Sequence, residues 1–177
     1  MRKLSELEGV SLGTVHKYQP CTAYRVRCEL KGSPSSYWRA SAGSVYPLLA
    51  RLENEGLVAT KVDENDGRGR KLLRVTALGR KSLKEWIMAG VDQGLISSVT
   101  DPIRSRAFFL SVLGRQKQIE FLDELISRME DYLSETRTYL ESKSETDDLY
   151  EYLGSLGATK VTAARLDWLY TVREHIK

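Results

Sequence analysis

Three cations crowd one glycine-punctuated stretch, Glu64-Asn65-Asp66-Gly67-Arg68-Gly69-Arg70-Lys71. Arg68, Arg70 and Lys71 at this density can neutralise phosphates. The glycines let such a tip follow a nucleic-acid backbone or enter a narrow, electronegative minor groove. A second set of polar groups lies upstream. Between Ser41 and Gly56, Val45, Leu48, Leu49 and Leu52 recur at i, i+3, i+4 and i+7, which predicts an amphipathic helix. The opposite face carries Ser44, Tyr46 and Arg51, two hydroxyls and a guanidinium suited to phosphates or base edges. Each set alone has a plain reading: a solvated loop, or a helix packed in an ordinary helical domain. Found together and in this order, they point to double-stranded DNA.

Other chemistries lack their residues. The chain has no glycine-rich phosphate loop ending in Lys-Ser/Thr, no nucleophile elbow and no paired histidines, so no enzyme is expected. Cys21 and Cys28 stand seven apart, which is no zinc spacing, and only His16 and His175 could add imidazoles. Two ordinary thiols in a reducing cytoplasm are expected, with no metal and no cofactor. Arg25 and Arg27 beside them leave a reactive thiol open.

The elements that must position the polar sets follow from period and punctuation. Leu4, Leu7 and Val10 recur at threes, and the apolar content continues through Leu12 and Val15 to about His16. Pro20 disfavours helix at Gln19. Thr22 is placed to cap a second helix with Ala23, Val26 and Leu30 on one face, ended by Gly32-Ser33-Pro34-Ser35-Ser36. Ser41 is expected to cap the third helix, Pro47 to loosen its first turn, and Gly56 to stop it. The period then becomes alternating. Val58, Thr60 and Val62 point one way, and a second strand is expected from Leu72 to Val75, making a hairpin around the basic loop. Thr76 caps a fourth helix holding Leu78, Leu83, Trp86 and Ile87. Three helices, two strands and a helix, with a basic hairpin tip, make a winged helix-turn-helix.

Charge divides the chain in the same way. Residues 1–90 carry 16 Lys/Arg against 9 Asp/Glu, and residues 91–177 carry 11 against 15, so +7 is followed by −4. The first half is therefore the one expected to meet a polyanion. With 29% charged and 41% apolar residues the chain is expected to be globular. No apolar run approaches the roughly 20 residues of a membrane span. Acids in the opening eight residues argue against a secretory signal and for a cytoplasmic protein.

Past residues 91–100, read as a linker, Asp101-Pro102 opens a helical half. Ile119, Leu122, Ile126, Met129, Leu133, Thr136 and Leu140 step alternately by three and four, a heptad seam. Phe121, Leu125, Tyr132 and Tyr139 form a stripe beside it. The seam could pack within its own chain or against a second copy. A last helix from about Asp147 to His175 is expected to break at Gly154 and Gly157, with Leu166, Leu169, Val172 and Ile176 on one face of its end.

The run from Ser41 to Val58, with Gly43-Ser44-Val45-Tyr46-Pro47 at its start, resembles the recognition-helix signature of PadR-type regulators. Gly67-Arg68-Gly69-Arg70-Lys71 and the following Leu72 to Arg80 are similar to that family's wing and next helix. Thr22-Ala23-Tyr24 and Arg165-Leu166-Asp167-Trp168-Leu169 are looser matches. Ala23 stands where the family usually has glycine, and Gly69 where its wing often has proline. The resemblance implies Tyr24, Ser44, Tyr46 and Arg51 at the DNA, and Arg68, Arg70 and Lys71 on the wing. It also implies a homodimer on a pseudo-palindromic operator, joined through the C-terminal half. For that contact the expected residues are Ile119, Leu122, Ile126, Met129, Leu133, Leu166 and Leu169. A small aromatic effector is a further implication, with Trp86, Phe108, Phe109 and Trp168 as candidate pocket walls, Tyr170 beside them, although such aromatics also serve as core.

The expected fold is thus mainly α: a winged helix over 1–90, a linker over 91–100, and a helical dimerisation domain over 101–177. The expected function is a sequence-specific transcriptional repressor. The alternative is a winged-helix module that binds proteins and not specific DNA.

Overall fold

Ser5 and Glu8 open the first helix by capping each other. Ser5 Oγ accepts from the Glu8 N–H at 3.4 Å, and the Glu8 carboxylate accepts from the Ser5 N–H at 2.9 Å. The helix that follows, α1, spans Glu6–Tyr18. The computed structural model describes residues 2–33, 38, 41–63, 69–89 and 101–176. Arg68, the Pro34-Ser35-Ser36 turn and the 91–100 linker lie outside these.

Thr22 caps α2 (Ala23–Gly32) by accepting from the Arg25 N–H at 3.1 Å. A 3₁₀ turn over Ala42–Ser44 then leads into α3 (Val45–Asn54). Ser41 is not the cap expected of it, for its side chain bonds no helical N–H. The 3₁₀ turn takes that role, and Pro47 then falls in the first turn of α3, where a missing N–H costs nothing. Gly56 adopts φ +73°, and the Leu57 N–H turns back to the Leu52 carbonyl at 2.9 Å.

Strands β1 (Val58–Val62) and β2 (Lys71–Val75) pair antiparallel, from Val58 opposite Val75 to Val62 opposite Lys71. Cys21 forms a one-residue bridge to Leu73, bonded in both directions at 3.2 and 2.7 Å, so the hairpin is sewn to the α1–α2 connection. Thr76 caps α4 (Ala77–Ile87) and donates its hydroxyl to the Gly56 carbonyl at 2.7 Å, tying the start of α4 to the end of α3. Leu12, Val15, Val26, Val45, Leu52 and Val58 form the buried centre of this unit.

A second compact unit follows, the division falling between Asp92 and Gln93. Asp101 caps α5 (Pro102–Ala107), with Pro102 at its first position as expected. After a 3₁₀ turn over Leu110–Val112 come two 27-residue helices, α6 (Arg115–Glu141) and α7 (Leu149–His175). They run antiparallel: Asp123 pairs with Arg173, Glu130 with Tyr170, and Thr136 with Thr159. Contrary to expectation, α7 is continuous through Gly154 and Gly157. A helical glycine costs only about 1 kcal/mol relative to alanine, less than the packing of the long helix returns.

That packing consumes the heptad seam. Leu122, Ile126, Met129 and Leu133 are buried against Leu166 and Leu169 of the same chain, with Ile119 half-buried at one end. Of the two expected readings, the intrachain one describes this seam.

In the first unit α1 and α4 approach until Gly9 lies against the Trp86 ring. A Cβ at Gly9 would stand 2.3 Å from the indole, whereas one at Gly13 would meet only Leu83 Cδ1 at 3.9 Å. Gly9→Ala should therefore cost about 1–3 kcal/mol through overpacking. Gly13→Ala should be neutral or stabilise by up to about 1 kcal/mol. Urea unfolding followed by tryptophan fluorescence would decide, and equal midpoints for the two variants would refute this packing.

Candidate nucleic-acid interface

With Val45, Leu48, Leu49 and Leu52 turned inward, α3 leaves Tyr46, Pro47, Ala50 and Arg51 on its outer side. Ser44, at the end of the 3₁₀ turn, is exposed and makes no capping bond. Tyr46 is 48% exposed. Tyr24, in the first turn of α2, is 62% exposed. The packing of α2 on α3 brings the two phenols within electrostatic reach of each other. The Tyr24 hydroxyl is pushed above its ordinary value, first by its hydrogen bond with the Cys28 thiol.

The wing supplies the cations. Its base is closed by the Asp63 N–H donating to the Arg70 carbonyl at 2.7 Å, and Gly69 turns the chain at φ +66°. Arg70 and Lys71 are exposed beside that turn, with Lys61 and Arg74 exposed along the same hairpin. Arg68 belongs to the expected set but lies outside the described residues.

Arg51 sits differently from its expected companions. Its Nε and Nη2 both donate to Glu8 Oε1, at 3.1 and 2.6 Å. Arg2 grips the same carboxylate from the other side, Nη1 to Oε2 at 2.8 Å and Nη2 to Oε1 at 2.9 Å, and reaches on to Glu55 Oε2 at 2.8 Å. Glu8 is only 2% exposed. The Arg2 guanidinium, opposed by burial and helped by the Ser5 N–H and Arg51, holds the Glu8 carboxyl down to about 2. Sequence reasoning missed Glu8 altogether. Its one signal was local, the Ser5-x-x-Glu8 spacing of a capping box.

Of the four aromatics read as pocket walls, Trp86 lies in the first unit and Phe108, Phe109 and Trp168 in the second. Trp86 packs on the core of the first unit. Trp168 packs half-buried on the α6–α7 core. Phe108 and Phe109 stand on the surface of the second unit, 75% and 69% exposed. An open cleft of about 610 Å³ does lie in that unit, lined by Pro102, Arg106, Phe109, Leu110, Leu113 and Phe121 among others. Of the expected walls it contains Phe109. No helix among the described residues is long and apolar enough to cross a membrane.

Residues 12–85 match the family model described as the transcriptional regulator PadR-like family. The negative transcriptional regulator PadR of Bacillus subtilis is 23% identical over 125 residues, 70% of this chain and 67% of that protein. Among solved structures, Bacillus subtilis PadR in complex with operator DNA superposes with a TM-score of 0.83 at 20% identity, over 98% of this chain and all of that one. The same Bacillus subtilis protein in complex with p-coumaric acid superposes at 0.75 and 18% identity, over 98% of each chain. These structural likenesses establish the fold: a winged helix-turn-helix followed by long helices that pack together.

The Glu8 geometry fixes a pH dependence. The carboxyl lies below its ordinary 4.5 in the folded state, so its stabilisation is complete above that value and is lost as pH falls from 4.5 toward about 2. Over that window the wild-type protein should lose on the order of 2–3 kcal/mol more stability than Glu8→Gln. Urea midpoints at pH 7, 4 and 2.5 give the comparison. Parallel losses in the two proteins would mean that Glu8 is not held in this way.

Proposed function

We propose that the chain is a DNA-binding transcriptional regulator of the PadR-like family, whose model its residues 12–85 match, and that it is a homodimeric, sequence-specific repressor of a pseudo-palindromic operator. The observation that carries this reading is one of placement. Exposed hydroxyls at Tyr24, Ser44 and Tyr46 stand on a paired α2–α3 surface, and the same unit, whose residues 1–90 carry net +7, bears a hairpin with Arg70 and Lys71 at its turn. In this reading α3 enters the major groove, the α2 phenol holds a phosphate, and Arg68, Arg70 and Lys71 follow the backbone or minor groove.

The domain assignment follows. Residues 1–90 bind DNA, 91–100 connect, and 101–177 hold the two copies together. Because the α6–α7 seam is filled from within, the second copy must cover other apolar surface. Phe108 and Val112, 75% and 83% exposed, are the residues that need covering. An aromatic effector is the third part of the proposal. The cleft beside Phe109 and Phe121 has the volume for a single substituted ring, with Arg106 at its wall for an acidic group.

Selection from random duplex DNA should return one motif with two half-sites. Against that duplex, Arg70→Ala and Lys71→Ala should each lower the slope of log affinity on log salt by about one unit. Titrating p-coumaric acid into the bound complex tests release. A selection that returns no motif would sink the repressor reading in favour of a protein-binding module, while unchanged slopes would remove only the wing.

The dimer has its own test. Sedimentation at micromolar concentration should give a dimer for the wild type and a folded monomer for Phe108→Asp. Ile126→Asp should unfold the second unit, since it places a charge in a closed core. A wild-type monomer, or a Phe108→Asp dimer of wild-type stability, would contradict the assignment.

A further inference from the structure

Arg51 is the only cation on α3, and it is already engaged. Two of its N–H groups converge on one oxygen of Glu8, a carboxylate enclosed by α1, Arg2 and the Ser5 N–H. Arg2 extends the same network to Glu55, the residue that closes α3. One buried anion thereby ties the N-terminal segment, the first turn of α1, the last turn of α3 and its C-cap.

An aliphatic stripe fixes which face of a helix is buried, but its contacts are non-directional and tolerate some roll. A guanidinium whose Nε and Nη2 both donate to one oxygen of a buried carboxylate restricts that roll, because the oxygen must stay between the two N–H groups in the guanidinium plane. Were Arg51 to swing out to a phosphate, Glu8 would lose its α3 partner while remaining buried, and a buried charge that loses a partner is costly. We propose that Arg51 and Glu8 are positioning residues for DNA reading. They set the rotation of α3 about its axis, and Arg51 contacts no DNA. This rests on the DNA-binding reading above. It leaves the outer side of α3 to Ser44, Tyr46, Pro47 and Ala50, hydroxyls and apolar groups that cannot make the two-bond contact of a free arginine with guanine.

The full-length protein and the duplex recovered by selection serve as the test, with binding measured from about 50 to 200 mM salt. Arg51→Gln should weaken specific binding about tenfold yet keep the wild-type salt slope, whereas Lys71→Ala loses about one unit. Arg51→Lys keeps the charge but not the fork. It should weaken discrimination between the selected duplex and a scrambled one, an effect that a phosphate contact would not show. Glu8→Gln should match Arg51→Gln, and the double variant should be no worse than either single one. Thermal melts verify folding. If Glu8→Gln does not fold, the Arg51→Lys discrimination and the Arg51→Gln slope decide alone. A slope loss of one unit in Arg51→Gln, or full discrimination in Arg51→Lys, would overturn the proposal while the DNA reading stands. A wild-type protein that selects no duplex would overturn both.

Discussion

A helix that offers polar groups to a partner must first hide its apolar ones, and the whole first unit is arranged around that requirement in α3. Val45, Leu48, Leu49 and Leu52 are buried, each contributing roughly 1.5–3 kcal/mol by leaving water. To receive them, α1, α2 and β1 present Leu12, Val15, Val26, Leu30 and Val58 as one surface. The connections serve the same end. Gly56 reverses the chain directly after α3, and Thr76 returns α4 to that turn. The exposed hydroxyls of Ser44 and Tyr46 follow from this burial, since they occupy the positions the stripe leaves out.

Burial of the stripe sets the face; electrostatics sharpen it. The first unit has a surplus of cations, which suits a polyanion, but surplus cations on a small domain repel one another. Glu8 places one anion where it quenches two of them, Arg2 and Arg51, and Glu55 takes a further bond from Arg2. Part of the positive charge that remains exposed lies on the hairpin, in Lys61, Arg70, Lys71 and Arg74, and part on α4, in Arg80, Lys81 and Lys84.

What could be read in the sequence was local. Thr22, Thr76 and Asp101-Pro102 mark helix starts because a cap acts within three residues, and Gly56 marks a stop for the same reason. The alternation of β1 and the heptad step of α6 were legible because each element's period is its own. Failures came where a distant partner decides the outcome. Glu8 and Arg51 are 43 positions apart, and no spacing rule links them. Gly154 and Gly157 looked like breaks because propensity counts a residue alone, whereas α7 is held along its length by α6. Ser41 failed for a nearer reason, a 3₁₀ turn doing the work of a cap.

The second unit shows why a heptad seam is weak evidence for association. Knobs and holes are satisfied equally well by a partner on the same chain, and a short connection makes that partner available at very high effective concentration. Here Ser142 to Asp148 folds α7 back onto α6 before any second copy can compete. In the proposed dimer, association falls to apolar groups left outside the α6–α7 pair. Such a contact must also overcome the repulsion between two second units of net −3 each, 11 Lys/Arg against 14 Asp/Glu over 93–177. Salt screens that repulsion beyond about 8–10 Å and leaves apolar burial intact. The same salt weakens the attraction of the basic units for phosphate. The two proposed associations would therefore respond to ionic strength with opposite sign, a consequence of placing the cations in the first half of the chain and the acids in the second.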